Sequence, residues 1–115
     1  MLYDADAGVL LGSRCRSCDT TFFPRLDLGC EVCGSTQLEQ TTLEPAGTLH
    51  SVATVHLYQG HDIEAPFAIG EVQLDAGPLI RVTMAEIVER DAIGSRVGVV
   101  WTAANDRVEP RFEVV

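Results

Sequence analysis

The sequence predicts a mostly β protein in which a small cysteine-rich metal module, residues 1–40, precedes a five-stranded barrel, residues 41–115. Two observations lead to this class. All four cysteines lie in two C-x-x-C pairs within the first third of the chain, and the remainder consists of short β-type segments separated by turn signals. Because no segment has room for helical crossovers between parallel strands, we expect an antiparallel sheet that closes on itself to hide its edges.

The two cysteine pairs are separated by eleven residues. Each pair can form a knuckle, a tight turn whose two thiolates converge on one point, and two facing knuckles make a tetrahedral four-sulfur cage. Such a site has no open position for water or substrate, so it stabilises the fold and takes no part in catalysis. The sequence therefore predicts a structural Zn²⁺ site with four ligands: Cys15, Cys18, Cys30 and Cys33.

Three other roles compete for these cysteines. Disulfides need an oxidising compartment, and residues 1–6 contain neither the basic nor the apolar segment of an export signal. A redox dithiol needs one C-x-x-C at the start of a helix in a βαβ unit, which is not the context here. An iron site of the rubredoxin type remains an alternative, since four thiolates also suit iron.

Composition and charge narrow the class of function. The 115 residues suffice for one domain or two small modules, and no apolar run approaches the roughly 20 residues that cross a bilayer. With no membrane span and no export signal, we expect a cytoplasmic protein. The net charge is −9, with eight arginines, no lysine and seventeen acidic residues. Nucleic-acid binding depends on cations that neutralise phosphates, so it is not expected.

In the metal module, the pattern predicts short elements around the knuckles. Residues 1–14 suit a short helix or strand, with a turn at Gly12-Ser13 leading into the first knuckle. Residues 20–23 form a short β-type run ended by Pro24. Gly34 directly after Cys33 suits the sharp turn that directs backbone amides towards sulfur.

Beyond a turn at residues 44–47, the pattern predicts the barrel. Its clearest signal is a β-hairpin, in which two alternating segments flank the turn Asp75-Ala76-Gly77-Pro78. Residues 85–90 suit a helical turn or two, and residues 58–66 suit a loop. Trp101 and Phe112 are expected in the core. The five predicted strands are residues 48–56, which carry a bulge, 67–74, 79–84, 97–101 and 111–115.

The order of these motifs resembles the DUF35 family, proteins that join a zinc ribbon to an OB-fold. The resemblance covers residues 11–115 and departs at two points. The first cysteine pair ends Cys18-Asp19 where the family has Cys-Gly, and the family's N-terminal helix is short or missing. The matching motifs are the cysteine pairs with Phe23-Pro24-Arg25 between them, Cys33-Gly34-Ser35, Gly47-Thr48-Leu49-His50-Ser51, Pro66-Phe67, Val72-Gln73-Leu74-Asp75-Ala76-Gly77 and Ile93-Gly94-Ser95-Arg96-Val97.

The resemblance implies a rubredoxin-like zinc ribbon followed by an OB-fold barrel, and a non-catalytic role beside a thiolase-fold enzyme. Family members accompany thiolases, thiolase-like aldolases, acyltransferases or hydroxymethylglutaryl-CoA synthase systems as hetero-oligomers, and their barrel helps to enclose the acyl-CoA. The residues agree, because every cysteine is committed to metal and the three histidines have no evident nucleophile partner.

Five residues are candidates for binding the partner or substrate. Arg25 is placed to meet a CoA phosphate or an acidic surface, although a surface ion pair explains it equally well. Arg81 belongs to the predicted hairpin, where it is also consistent with a solvated face. His61, Pro66 and Phe67 lie in or beside the loop, which suits either a ligand tunnel or a mobile connector.

Two rival functions follow from the same modules. Zinc ribbons and OB barrels also bind single-stranded nucleic acid, and a local cluster of Arg14, Arg16 and Arg25 supports that role against the overall charge. Rubredoxin-like electron transfer would follow if the four thiolates held iron. We take the accessory subunit as the main hypothesis.

Overall fold

The computed structural model describes residues 2–60, 64–104 and 106–115 and consists almost wholly of β-strands. Within these ranges a single 3-10 turn, Arg90–Ala92, is the helical element. The strands are β1 (Tyr3–Asp4), β2 (Val9–Cys15), β3 (Thr21–Phe22), β4 (Leu38–Leu43), β5 (Ala46–Val55), β6 (Phe67–Leu74), β7 (Leu79–Thr83), β8 (Arg96–Ala104) and β9 (Arg107–Val114).

The first sheet holds the cysteine module and has β2 at its centre. β2 pairs antiparallel with β4 along almost its whole length, from Leu10 opposite Leu43 to Cys15 opposite Leu38. Its other edge pairs with β1 at one end and with β3 at the other. Cys15, the last residue of β2, is therefore held in position by its pairing with Leu38.

The second sheet has five antiparallel strands in the order β7-β6-β5-β8-β9. A parallel bridge between Met84 and Phe112 brings the two ends of the sheet together, so the sheet curls into a half-barrel. This arrangement, with the cysteine module before it, confirms the predicted fold class of a zinc ribbon followed by an OB-fold barrel.

β5 carries the predicted bulge. Its register with β6 shifts between Leu49 and Ser51, so His50 is the extra residue. A bulge bends and twists its strand, which suits a strand that must turn the corner of a barrel. Past the bulge β5 continues beside β6 only, while its pairing with β8 is confined to Ala46, Gly47 and Thr48.

One apolar core joins the two sheets. Leu10 and Leu43 of the first sheet are 2 % exposed and lie in the same cluster as Leu49, Val72 and Phe112 of the second. Phe112 is 1 % exposed, as expected, whereas Trp101 is half-buried and contacts Tyr3 with ring centroids 5.7 Å apart. Because the barrel core includes ribbon residues, the two modules stabilise each other.

Two local predictions were wrong. Gly12-Ser13 forms no turn but lies inside β2, where a Cβ at Gly12 would overlap the carbonyl oxygen of Phe22 on the neighbouring strand. Of the residues 85–90 predicted as a helical turn, residues 85–89 are not helical, because the backbone N–H of Ala85 donates to the Phe112 carbonyl, and only Arg90 belongs to the 3-10 turn. The predicted last two strands are also longer than expected, since β8 and β9 form one continuous hairpin.

In the described part of the chain, no helix has the length and apolar character that a membrane span requires.

Candidate metal centre

The two cysteine knuckles have the same backbone hydrogen bonds. In the first, the N–H of Asp19 donates to the Cys15 carbonyl at 2.8 Å, and the N–H of Cys15 donates to the Thr20 carbonyl at 2.9 Å. In the second, Gly34 donates to the Cys30 carbonyl at 2.9 Å, and Cys30 donates to the Ser35 carbonyl at 2.8 Å. The local sequence thus folds twice into one turn, which presents two sulfurs on one side.

The four sulfurs converge on one point. Their Sγ atoms all lie within 4.8 Å of one another. Across the two knuckles, the Sγ atoms of Cys15 and Cys33 are 3.6 Å apart, as are those of Cys18 and Cys30. Cys15 and Cys30 are buried, whereas Cys33 lies at the surface. The cluster is therefore a cage at the edge of the ribbon with one exposed corner.

The geometry fits a tetrahedral metal ion. Zn–S bonds of about 2.3 Å hold the sulfurs of a tetrahedron about 3.8 Å apart, close to the separations observed. Backbone amides complete the site, since the N–H groups of Val32 and Cys33 lie 3.3 and 3.4 Å from Cys30 Sγ. Amides directed at sulfur stabilise thiolate charge around a metal. The four cysteines are positioned to bind one ion, consistent with a structural zinc.

The thiols differ in acidity. Hydrogen bonds from the Thr20 hydroxyl and backbone lower the pKa of Cys18 to about 6, and the backbone amides of Cys33 and Val32 lower the pKa of Cys30. At Cys33 the backbone N–H of Ser35 acts in the same direction, but partial desolvation of the sulfur inside the cage and the neighbouring thiols together raise its pKa to about 12.

Asp19 explains why the first knuckle lacks the expected glycine. Its φ is 67°, close to the 78° of Gly34 at the equivalent position of the second knuckle. Asp is among the few residues that tolerate this left-handed conformation. Its carboxylate also forms an ion pair with Arg14. The departure from the family pattern thus keeps the same turn.

Arginines 14 and 16 are neutralised by acids. Arg14 Nη1 lies 2.7 Å and Arg16 Nε 3.0 Å from the carboxylate of Glu39 on β4, and Arg14 also pairs with Asp19. Hydrogen bonds from Arg14, and then from Arg16, lower the pKa of Glu39. In the predicted cluster of Arg14, Arg16 and Arg25, two of the three arginines are therefore already paired with acids. The cluster offers little free positive charge to a nucleic-acid phosphate.

Of the five predicted binding residues, the four that the structure describes lie on separate parts of the chain, one near the ribbon and three in the barrel. Arg25 is half-buried and follows the cis Phe23–Pro24 bond, near the ribbon. Pro66 is exposed at the start of β6 after a second cis bond, and Phe67 is only 8 % exposed, with its ring edge-on to Tyr58 at 5.2 Å. His61 lies outside the described residues.

Arg81 lies opposite Glu71 on β6 and is exposed. It borders a shallow depression of about 270 Å³ on the outer face of β5, β6 and β7. Within the depression, the Ser51 hydroxyl donates to Glu71 at 2.7 Å. In the part of the chain that the structure describes, no carboxylate pairs with the Arg81 guanidinium, which leaves this cation available to a ligand or partner.

Sequence reasoning missed two supports of the metal centre. Thr20 contacts the Cys18 sulfur at 3.2 Å, and Glu39 links the arginines that flank Cys15. Thr20 could have been found from the sequence, because it is a hydroxyl residue two positions after Cys18. Glu39 had no local signal, because it reaches Arg14 only through the pairing of β4 with β2.

Family profiles and known proteins match nearly the whole chain. Residues 4–39 match the profile "ChsH2, rubredoxin-like zinc ribbon domain", and residues 40–102 match "ChsH2, C-terminal OB-fold domain". A "DUF35 domain-containing scaffold protein" of Methanocaldococcus jannaschii is 28% identical over 95 residues, which cover 80% of this chain and 67% of that protein. The solved "Ltp2-ChsH2(DUF35) aldolase" has the same fold, with a TM-score of 0.75 at 24% identity over 96% of this chain and 87% of that one.

Proposed function

Because the chain belongs to the DUF35 family, with the zinc ribbon and OB-fold domain of ChsH2, we propose that it is a non-catalytic accessory subunit of a thiolase-fold enzyme. In this role it binds the enzyme as a hetero-oligomer and helps to hold its acyl-CoA substrate. The partner is a thiolase, a thiolase-like aldolase or an acyltransferase.

The observation that carries this proposal is the tandem match of both ChsH2 modules over residues 4–102. The names of the similar proteins support the same role, since one is called a scaffold protein and the other bears the name "Ltp2-ChsH2(DUF35) aldolase". The chemistry of the described residues agrees. The thiolates converge on one metal position, so none of them is free to act as a nucleophile.

In this proposal the metal ion has a structural role. When bound, zinc cross-links the two knuckles, which are joined in sequence by residues 19–29. Cys15 ends β2, and β2 supplies Leu10 to the core shared with the barrel. The ribbon therefore stabilises the barrel through this shared core. We propose residues 1–40 as the ribbon domain and residues 41–115 as the barrel domain.

We further propose that the five candidate residues take part in binding the partner or the substrate, four of them by direct contact. Arg25 and Arg81 offer exposed or half-exposed guanidinium groups to phosphate or carboxylate. Pro66 and His61 belong to the connection between β5 and β6, which suits contact with a neighbouring subunit. Phe67 acts indirectly, because its buried ring supports Tyr58 at the base of that connection.

Enzyme assays of the purified chain test the non-catalytic role. We expect the zinc-loaded protein alone to show no thiolysis, aldol cleavage or acyl transfer above the protein-free rate, with a known thiolase as positive control. The mixture of this chain with the partner enzyme should show activity, and more activity than the partner enzyme shows alone. Turnover by the isolated chain would contradict the proposal.

A further inference from the structure

Thr20 and Ser35 occupy equivalent positions in the two knuckles, each two residues after the second cysteine of its pair. Their carbonyls accept the N–H of the first cysteine of that pair, at 2.9 and 2.8 Å. Their backbone N–H groups also hydrogen-bond the sulfur of the second cysteine, which is Cys18 in one knuckle and Cys33 in the other. The two knuckles therefore carry a side-chain hydroxyl at matching places.

The two hydroxyls have different partners. The Thr20 hydroxyl lies 3.2 Å from Cys18 Sγ. The Ser35 hydroxyl accepts one hydrogen bond from the Ser17 hydroxyl at 2.9 Å and another from the backbone N–H of Gln37 at 3.1 Å. Among the hydrogen bonds of the described residues, a side-chain hydroxyl therefore meets a cage sulfur at Cys18 alone. The likeness of the two knuckles ends at this hydroxyl.

The backbone on both sides of Thr20 limits where its hydroxyl can lie. Directly before it, Asp19 adopts the left-handed conformation, and directly after it, Thr21 pairs with Arg14 on β2. Thr20 is branched at Cβ, so its first side-chain torsion has few allowed rotamers. Thr20 and Cys18 are both half-buried, which shields their contact in part from water and strengthens it. The contact is thus part of the folded first knuckle.

The direction of this hydrogen bond in the metal-bound centre follows from the chemistry of the ligand. A cysteine binds a metal ion as a thiolate, and a thiolate has no proton to donate. The Thr20 hydroxyl is therefore the donor and Cys18 Sγ the acceptor. A hydrogen bond to an ionised acceptor is stronger than one between neutral groups. It takes up part of the negative charge of the thiolate without placing a cation beside the site.

We propose that Thr20 is a positioning residue of the metal centre, whose hydroxyl orients Cys18 Sγ and withdraws charge from it, so that the centre holds zinc more tightly. Ser35 has no such role, because its hydroxyl bonds Ser17 and Gln37 instead. Residues that hydrogen-bond a metal ligand typically change metal affinity by about 10- to 100-fold. Because zinc binding and folding of the ribbon are coupled, Thr20 also affects the zinc concentration at which the ribbon folds.

Zinc competition on the full chain measures the effect on affinity. Thr20→Val keeps the shape of the side chain and removes the hydroxyl, whereas Thr20→Ser keeps the hydroxyl. With a chromophoric chelator as competitor at constant pH, Thr20→Val should bind zinc about tenfold or more weakly than the unsubstituted protein. Thr20→Ser should bind it nearly as tightly as the unsubstituted protein. Equal zinc affinities of Thr20→Val and the unsubstituted protein would overturn the proposal.

The spectrum of the cobalt-loaded protein distinguishes a hydrogen bond to sulfur from a purely structural role. Co²⁺ in a tetrahedral four-thiolate site gives a sulfur-to-cobalt charge-transfer band, whose energy depends on the electron density at sulfur. Loss of a donor raises the energy of the sulfur electrons, so Thr20→Val should move this band to longer wavelength, and Thr20→Ser should restore its position. A substitution that only loosened the fold would lower the affinity and leave the band in place, and that result would contradict the proposal.

Ser35→Ala is the matched control in the second knuckle. It removes a hydroxyl that bonds Ser17 and Gln37 and no sulfur, so the charge-transfer band should not move. A shift as large as that of Thr20→Val would show that the Thr20 hydroxyl has no special role. If Thr20→Val does not fold, Thr20→Ala, which removes the same hydroxyl without a branched side chain, replaces it in both measurements.

This inference and the proposed function can fail separately. Zinc affinity and the cobalt spectrum are measured on the isolated chain, so neither requires a partner enzyme. If no thiolase-fold partner exists, the role of Thr20 in the metal centre still stands. If Thr20→Val leaves affinity and spectrum unchanged, the role of Thr20 is refuted and the accessory-subunit proposal is unaffected.

Discussion

Asp19 shows how one residue can depart from a family pattern and preserve its geometry. The two knuckles share their hydrogen bonds, and Asp19 and Gly34 both adopt positive φ directly after a C-x-x-C pair. At Gly34 the conformation costs nothing sterically, and a Cβ at this position would meet no atom within 4 Å. At Asp19 the ion pair with Arg14 compensates part of the conformational cost.

Substitutions at these two positions should separate conformation from charge. Gly34→Ala should lower the free energy of unfolding by about 1 kcal/mol, because alanine pays the left-handed cost without any new clash. Asp19→Gly should be nearly neutral, since it loses an exposed ion pair and gains a permissive backbone. Chemical denaturation of the zinc-loaded proteins measures both. A neutral Gly34→Ala beside a strongly destabilising Asp19→Gly would show that the ion pair, not φ, determines this turn.

Among the elements, the pairing of β5 with β6 depends on close backbone approach. A Cβ at Gly47 on β5 would overlap the Gln73 carbonyl oxygen and lie 2.9 Å from Leu74 Cα. Gly98 on β8 pairs with Ala46, the neighbour of Gly47, but the atom nearest to a Cβ there, Val115 Cγ1, would be 3.6 Å away. The two glycines therefore occupy adjacent strands with different amounts of space.

This contrast gives a matched prediction. Gly47→Ala should lower the free energy of unfolding by about 2 kcal/mol, because backbone atoms must move apart to admit the methyl group. Gly98→Ala should have little effect, and a small gain is consistent with the better strand propensity of alanine. Urea unfolding curves of the two variants provide the comparison. Equal losses at both sites would argue against the close contact of β5 and β6.

For the secondary-structure elements, the sequence predicted the positions of the strands well and their ends poorly. The hairpin of β6 and β7 was predicted because alternation and the turn at residues 75–78 are local signals. The helical turn predicted at residues 85–90 was wrong for residues 85–89, because Ala85 bonds to Phe112, a distant residue whose position no local pattern reveals, and the one 3-10 turn of the described chain begins at Arg90. Gly12 suggested a turn, whereas its role is to admit Phe22 of β3. Non-local pairing explains each miss.

The candidate site was likewise predictable where the signal is local in sequence and not where it depends on pairing between distant strands. Its four sulfurs followed from cysteine spacing alone, and the structure brings them together. Glu39 did not, since it reaches the arginines beside Cys15 through the pairing of β4 with β2, two strands far apart in sequence.

The whole molecule is stabilised by a core that spans ribbon and barrel, so loss of the metal should affect both. Cys30→Ser removes the sulfur that accepts two backbone amides. We expect it to abolish zinc binding and to lower the melting temperature of the barrel, because Leu10 and Leu43 then lose their position in the core. Metal analysis and circular dichroism measure these effects, with Ser17→Ala as the knuckle control. A barrel that melts at the unsubstituted temperature would refute this coupling.

The central claim concerns what this molecule binds, and affinity purification of the tagged protein from its native cells tests it most directly. The account predicts that a thiolase-fold enzyme copurifies in near-stoichiometric amount and that Cys30→Ser reduces its recovery. Recovery of nucleic acid or polymerase components in place of such an enzyme would contradict the accessory-subunit proposal.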